Sequence, residues 1–147
     1  SNKIKKSQEL LFELEKTQKA SILTSADVLK KRYLLANTEL YFYLLQFAEK
    51  CREIKITPIV YFYFENPDPN FEQCPDCEVQ DKVLTSTSEE CKNVRVFAFP
   101  QNSDIEIINL LVKDFGIEKA PSLVIGNKTI QGLQSKEKIS ENISCIN

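Results

Sequence analysis

Ile59-Val60-Tyr61-Phe62-Tyr63-Phe64, then a loop, then Cys74-Pro75-Asp76-Cys77: the reading of this chain turns on that stretch. The residues from Ile56 to Phe64 are β-branched or aromatic with little polarity, which suits a strand buried on both faces. Glu65 to Gln73 holds two prolines, two asparagines and an aspartate and reads as a loop. Glu78 to Glu90 reads as a helix. A Cys-x-x-Cys where strand gives way to helix puts its first sulfur at or near the helix N-terminus. Unpaired N–H groups and the positive end of the macrodipole there favour thiolate over thiol. Such a setting lowers a cysteine pKa of ~8.5 by one to several units. The two-residue spacer lets the second sulfur, one turn further in, close a disulfide. Cys-x-x-Cys also serves metals, but a structural zinc needs a full tetrahedral ligand set. The chain has no histidine and no second Cys-x-x-Cys. The redox reading is preferred, and no metal is expected.

Upstream the chain changes character. Residues 1 to 57 contain neither glycine nor proline, and all six prolines and three glycines lie at or after Pro58. An unbroken stretch of this kind argues for helix. Ala26, Leu29, Tyr33, Ala36, Leu40, Leu44, Phe47 and Cys51 recur in steps of three and four, predicting a helix from roughly 26 to 53. Leu10, Leu11 and Leu14 mark a weaker amphipathic helix over about 4 to 20. Thr24-Ser25-Ala26-Asp27 has the form of a capping box and places a break between the two, with a single long helix as the alternative. The face Leu29, Tyr33, Ala36, Leu40, Tyr43, Leu44 and Phe47 is too apolar for water, so it is expected to dock. Its own domain or a second copy, giving a homodimer, would cover it.

Downstream, Val79, Val83 and Leu84 are expected to face inward from the helix, which Asn93 ends. Val94 to Phe99 forms a second strand, stopped by Pro100. Asp104 is expected to cap a helix with Ile105, Ile108, Leu111, Val112 and Phe115 as its apolar face, and Gly116 suits its C-terminal αL position. Asp114-Phe115-Gly116 spells a kinase tripeptide, but no kinase-sized chain surrounds it. Ser122 to Ile125 and Lys128 to Gly132, joined by Gly126-Asn127, read as a hairpin. Ser135 caps a last helix carrying Ile139 and Ile143. The order is β-α-β-α-β-β-α, with a parallel first pair and an antiparallel hairpin. A helical extension over 1–53 precedes a domain over 54–147.

The 147 residues are 42% apolar with a net charge of −2, both signs being interspersed. No basic field suits nucleic acid and no polybasic run suits an anionic membrane, Lys30-Lys31-Arg32 reading as a solvated helix face. No apolar run approaches bilayer length. The chain lacks methionine and begins Ser1-Asn2, which resembles a scar of tag removal; a deleted signal peptide or membrane anchor would explain it, and so would a trimmed cytosolic chain. Five cysteines favour an extracytoplasmic, disulfide-permissive location, membrane-tethered by that missing segment, with a trimmed cytoplasmic chain as the alternative.

From Ile56 to Asn142 the sequence resembles the thioredoxin superfamily. The resemblance rests on a hydrophobic strand leading to Cys74-Pro75-Asp76-Cys77, the βαβ unit after it, and Pro121 before a strand-turn-strand-helix ending. It implies an α/β, thioredoxin-like three-layer sandwich preceded here by one or two extra helices. It also implies a cis bond at Ala120-Pro121, where the backbone would pair with an extended substrate. Pro75 and Asp76, between the sulfurs, would complete the substrate-binding surface. The implied activity is thiol–disulfide oxidoreduction, with Cys74 as exposed nucleophile and Cys77 as resolving thiol. Its partner would be a protein or small molecule carrying a thiol or disulfide, and no cofactor is implied. Thioredoxins proper usually have Trp-Cys-Gly-Pro-Cys and a buried aspartate in the preceding strand. Here Gln73 precedes Cys74, the chain has no tryptophan, and Tyr61 or Tyr63 stands about where the acid would be. Either Glu65 relays the proton or the reaction runs mainly in one direction. The Cys-Pro-x-Cys form is nearer to glutaredoxins and exported disulfide exchangers. A non-catalytic module whose helical extension binds a partner, and a metal site built from two Cys74/Cys77 pairs, are the competing readings.

In the fold so implied, Cys51, Cys91 and Cys145 all lie at the pole opposite Cys74. The helix after Cys77 and the final helix share one sheet face, so Cys91 and Cys145 end neighbouring helices. A structural Cys91–Cys145 disulfide is expected, with Cys51–Cys91 as runner-up and three buried free thiols as the plain alternative.

Overall fold

The computed structural model describes residues 2–19, 23–50, 55–68 and 70–147, and these fall into two compact units, 1–52 and 53–147. The first unit is a pair of helices, α1 (Asn2–Lys19) and α2 (Leu23–Lys50). Lys3 lies over the ring of Tyr43 and Ser7 donates a hydrogen bond to Asn37, so position falls along one helix as it rises along the other. The pair is antiparallel. Leu10 of α1 and Leu34, Ala36, Leu40 and Tyr41 of α2 are buried. The predicted face is displaced: Ala36 and Leu40 are buried as expected, but Tyr43 is exposed and Leu34 and Tyr41 replace it. Ser7 and Asn37 turn the buried band, since a hydrogen-bonded polar pair is admitted where lone polar groups are not. The predicted capping box lies within the first turns of α2, which begins at Leu23. Polar residues are tolerated there because first-turn N–H groups lack intrahelical carbonyls in any case.

The second unit is α/β. Its sheet holds β1 (Thr57–Tyr63), β2 (Val94–Pro100), β3 (Ser122–Ile125) and β4 (Lys128–Gln131) in the order β2-β1-β3-β4. β1 and β2 are parallel, while β3 is antiparallel to both β1 and β4. Three helices complete it: α3 (Pro75–Glu90), α4 (Glu106–Asp114) and α5 (Lys136–Ser140). Strand alternation divides the core. Ile59 and Tyr61 of β1 pack with Leu84 of α3 and Ile139 of α5 on one face. Phe62, one residue out of phase, meets Phe99 of β2 and Phe115 just after α4 on the other. With α3 and α5 below and α4 above, the sheet is buried on both sides, which is why β1 reads as a continuous apolar run.

Three helix details depart from expectation. α3 starts at Pro75 rather than Glu78, because proline has no N–H to lose at the first helical position. It ends at Glu90, with Cys91 rather than Asn93 at its C-cap. Its buried stripe is Cys77, Gln80, Leu84 and Thr87, running on into the buried Cys91, and Val79 is 48% exposed. For α4, Ile105 rather than Asp104 is the N-cap, and Ser103 Oγ accepts the Ile105 N–H. Gly116 follows at φ 67°, the left-handed conformation that glycine takes without steric cost.

At the pole where β2 begins, Cys91 and Cys145 are joined in a disulfide. Asn93 secures the same tail, donating from Nδ2 to the Ser144 carbonyl and accepting the Ile146 N–H at Oδ1, while the Lys92 N–H reaches the Ile146 carbonyl. Cys51 lies outside the described residues. Among the described residues no helix is long and apolar enough to cross a membrane.

Candidate functional site

Cys74 is the N-cap of α3 and Pro75 its first helical residue. The Cys74 carbonyl accepts the N–H groups of Cys77 and Glu78 at 3.1 and 3.2 Å, and Cys74 Sγ lies 3.2 Å from the same Cys77 nitrogen. Cys74 and Cys77 form a disulfide across 5.1 Å between Cα atoms. Cys77 is 6% exposed, whereas Cys74 is half-buried. A thiolate released at Cys74 would therefore have helix N–H groups in front of it and solvent beside it. Asp76 and Glu78, exposed in the same first turn, complement the helix dipole but oppose such a thiolate.

Tyr61 occupies the ground below the cysteines. Its ring is buried and its hydroxyl donates to the Cys77 carbonyl at 2.7 Å. Burial, with the Asp81 charge in addition, pushes its pKa far above the ordinary tyrosine value. Burial also raises Tyr41, in the helical pair. A folded-state pKa raised in this way contributes stability that is complete below the unfolded value, about pH 10, and is lost as pH rises beyond it. Stability to denaturant should then fall as pH climbs above about 10, and Tyr61→Phe should reduce that slope. An alkaline slope unaltered in Tyr61→Phe would refute the assignment.

The Ala120-Pro121 bond is cis, and Pro121 is buried. Tyr61 pairs across the sheet with Leu123, two residues beyond Pro121, so Pro121 and the Cys77 carbonyl lie at the same end of the sheet. Glutamines hold this loop. Gln131 Oε1 accepts the Glu118 and Lys119 N–H groups and lies 2.8 Å from the Ser122 hydroxyl, while its Nε2 donates to the Gly116 carbonyl. Gln80, fully buried one turn beyond Cys77, accepts the Gln134 N–H at 2.7 Å and donates to the Gln134 carbonyl at 3.1 Å. Gly132 N–H in turn reaches the Pro121 carbonyl at 2.8 Å.

Sequence reading singled out Cys74, Cys77, Pro75, Asp76, Ala120 and Pro121 but missed Gln80 and Gln131. Helical spacing carried the signal for Gln80, which lies three residues after Cys77 and four before Leu84. Glu65 lines a cavity beside the disulfide, and its backbone is held by Asn102, whose Oδ1 accepts the Glu65 N–H and whose Nδ2 donates to its carbonyl. Among the described residues no cluster of histidine, cysteine or carboxylate side chains could hold a metal ion. No family model, curated protein or solved structure matches this chain.

Proposed function

We propose that the chain is a thiol–disulfide oxidoreductase of thioredoxin-like fold, acting through Cys74 and Cys77 on thiols or disulfides of a protein or small-molecule partner. One observation carries the proposal: the Cys74–Cys77 disulfide caps a helix with Cys74 half-buried and Cys77 buried. That asymmetry separates an attacking from a resolving thiol. The sheet order β2-β1-β3-β4 and the cis Ala120-Pro121 bond beside Ser122 agree with the family resemblance of residues 56–142. Tyr61 in place of a buried acid leaves proton transfer at Cys77 to solvent or to the carboxylates of the adjoining cavity. An extracytoplasmic location, with the Cys91–Cys145 bond as a second, structural disulfide, completes the reading. The test is turnover of insulin disulfides with a dithiol as reductant. Catalysis above the uncatalysed rate is expected, and its absence would favour a non-catalytic module.

A further inference from the structure

A cavity of about 440 Å³ opens beside the disulfide, and both Cys74 and Cys77 line it. Tyr61, Tyr63 and Phe64 give it an aromatic lining, and Glu65, Glu78 and Asp81 bring three carboxylates to it. The acidity is local. Glu65 to Asp81 holds six acidic residues and neither lysine nor arginine, in a chain whose net charge is only −2. Aromatic faces attract cations through their quadrupoles, and the acidic residues here, Glu65 half-buried and Glu78 and Asp81 exposed, add to that attraction. The same groups repel a partner carrying negative charge near its sulfur. Phe64, which lines the cavity, and Phe71, three residues before Cys74 in the chain, are both exposed, and such apolar side chains suit contact with a polypeptide.

We infer that this cavity receives an ammonium or guanidinium group carried next to the reacting cysteine, so that the protein selects lysine- or arginine-flanked cysteines in peptide chains. The inference rests on the oxidoreductase reading above and names its substrate class. In the disulfide state the partner thiolate attacks Cys74 Sγ. A partner–Cys74 bond forms, the Cys74–Cys77 bond breaks, and Cys77 leaves as a thiolate that takes up a proton. A second partner thiolate attacks the partner sulfur of this mixed disulfide, releasing partner disulfide and a Cys74 thiolate that is protonated in turn. Two partner thiols thereby lose two electrons and two protons to the Cys74–Cys77 pair, and no other reagent enters.

The experiment uses the full chain in its disulfide form and three single-cysteine peptides that differ only in Lys, Gln or Glu on either side of the cysteine. Mixed-disulfide formation is followed by acid quenching and mass measurement, and rates are normalised to each peptide's thiolate concentration. At low salt the Lys peptide should react on the order of 10-fold faster than the Glu peptide, with Gln between. Raising salt to ~0.5 M should shrink the ratio several-fold. Replacing Glu65→Gln, Glu78→Gln and Asp81→Asn together should bring it towards one, whereas Glu89→Gln with Asp114→Asn, at the far ends of α3 and α4, should leave it in place. If the triple variant does not fold, the salt dependence of the native chain decides. Equal rates for the three peptides, or a preference that survives the triple replacement, would overturn the cavity assignment while exchange itself stands. No reaction with any peptide or with dithiothreitol would overturn the oxidoreductase reading and this inference with it.

Discussion

Cys74→Ser abolishes disulfide exchange, by at least about three orders of magnitude in turnover, while Cys77→Ser accumulates a covalent adduct with the partner; these are the expected results. The two sulfurs differ in surroundings rather than in chemistry. Cys74 sits half-buried at the helix start, 3.2 Å from the Cys77 nitrogen, whereas Cys77 is 6% exposed beneath the first turn. A serine hydroxyl at position 74 has no comparable nucleophilicity near neutral pH, so the reaction cannot begin. With serine at 77 it begins and does not finish, because nothing internal displaces the partner from Cys74. Mass measurement under non-reducing conditions reads both outcomes. An adduct that accumulates on Cys74→Ser, and not on Cys77→Ser, would reverse the assigned roles.

Removing the second disulfide is expected to cost about 4 kcal/mol. Cys91 and Cys145 are 54 residues apart, and cross-linking a loop of that length restricts the unfolded chain by about this amount in the chain-entropy account. For a domain of this size that corresponds to a fall of roughly 15–30 °C in melting temperature. Cys145→Ser is the cleaner variant, since Cys145 is exposed whereas Cys91 is buried and persists as a small apolar thiol. A melting temperature within a few degrees of the native chain, or alkylation of both cysteines without prior reduction, would remove the bond from the account.

How much of this was legible in the sequence depends on which physical signal each element carries. The order of strands and helices after residue 55 could be read because Gly126, Pro100 and Ser135 punctuate runs whose periodicity differs. The meeting of Cys91 and Cys145 could be anticipated because strand direction puts both at one pole and the resemblance implies that the two helices ending there share one sheet face. The inward face of α3 was misread at Val79 because hydrophobicity was given more weight than register with Cys77. Gln80 escaped for the converse reason: an amide reads as surface, yet here both its ends are satisfied by one backbone unit at Gln134. A tyrosine near the cysteines, Tyr61 or Tyr63, could be picked out from the sequence. The bond from the Tyr61 hydroxyl to the Cys77 carbonyl could not, because that depends on how far α3 overhangs β1.

From Gln80, one turn beyond Cys77 on α3, hydrogen bonds run to Gln134, from Gln134 to the Gly132 carbonyl and from the Gly132 N–H to the Pro121 carbonyl, a chain of links along one end of the sheet. On the oxidoreductase reading, a shift of α3 as its disulfide opens has this path of bonds to the strand entrance at Pro121. If Cys74 and the turn at Pro121 both meet a partner, their relative alignment would be settled when the chain folds and need not be found afresh at each encounter.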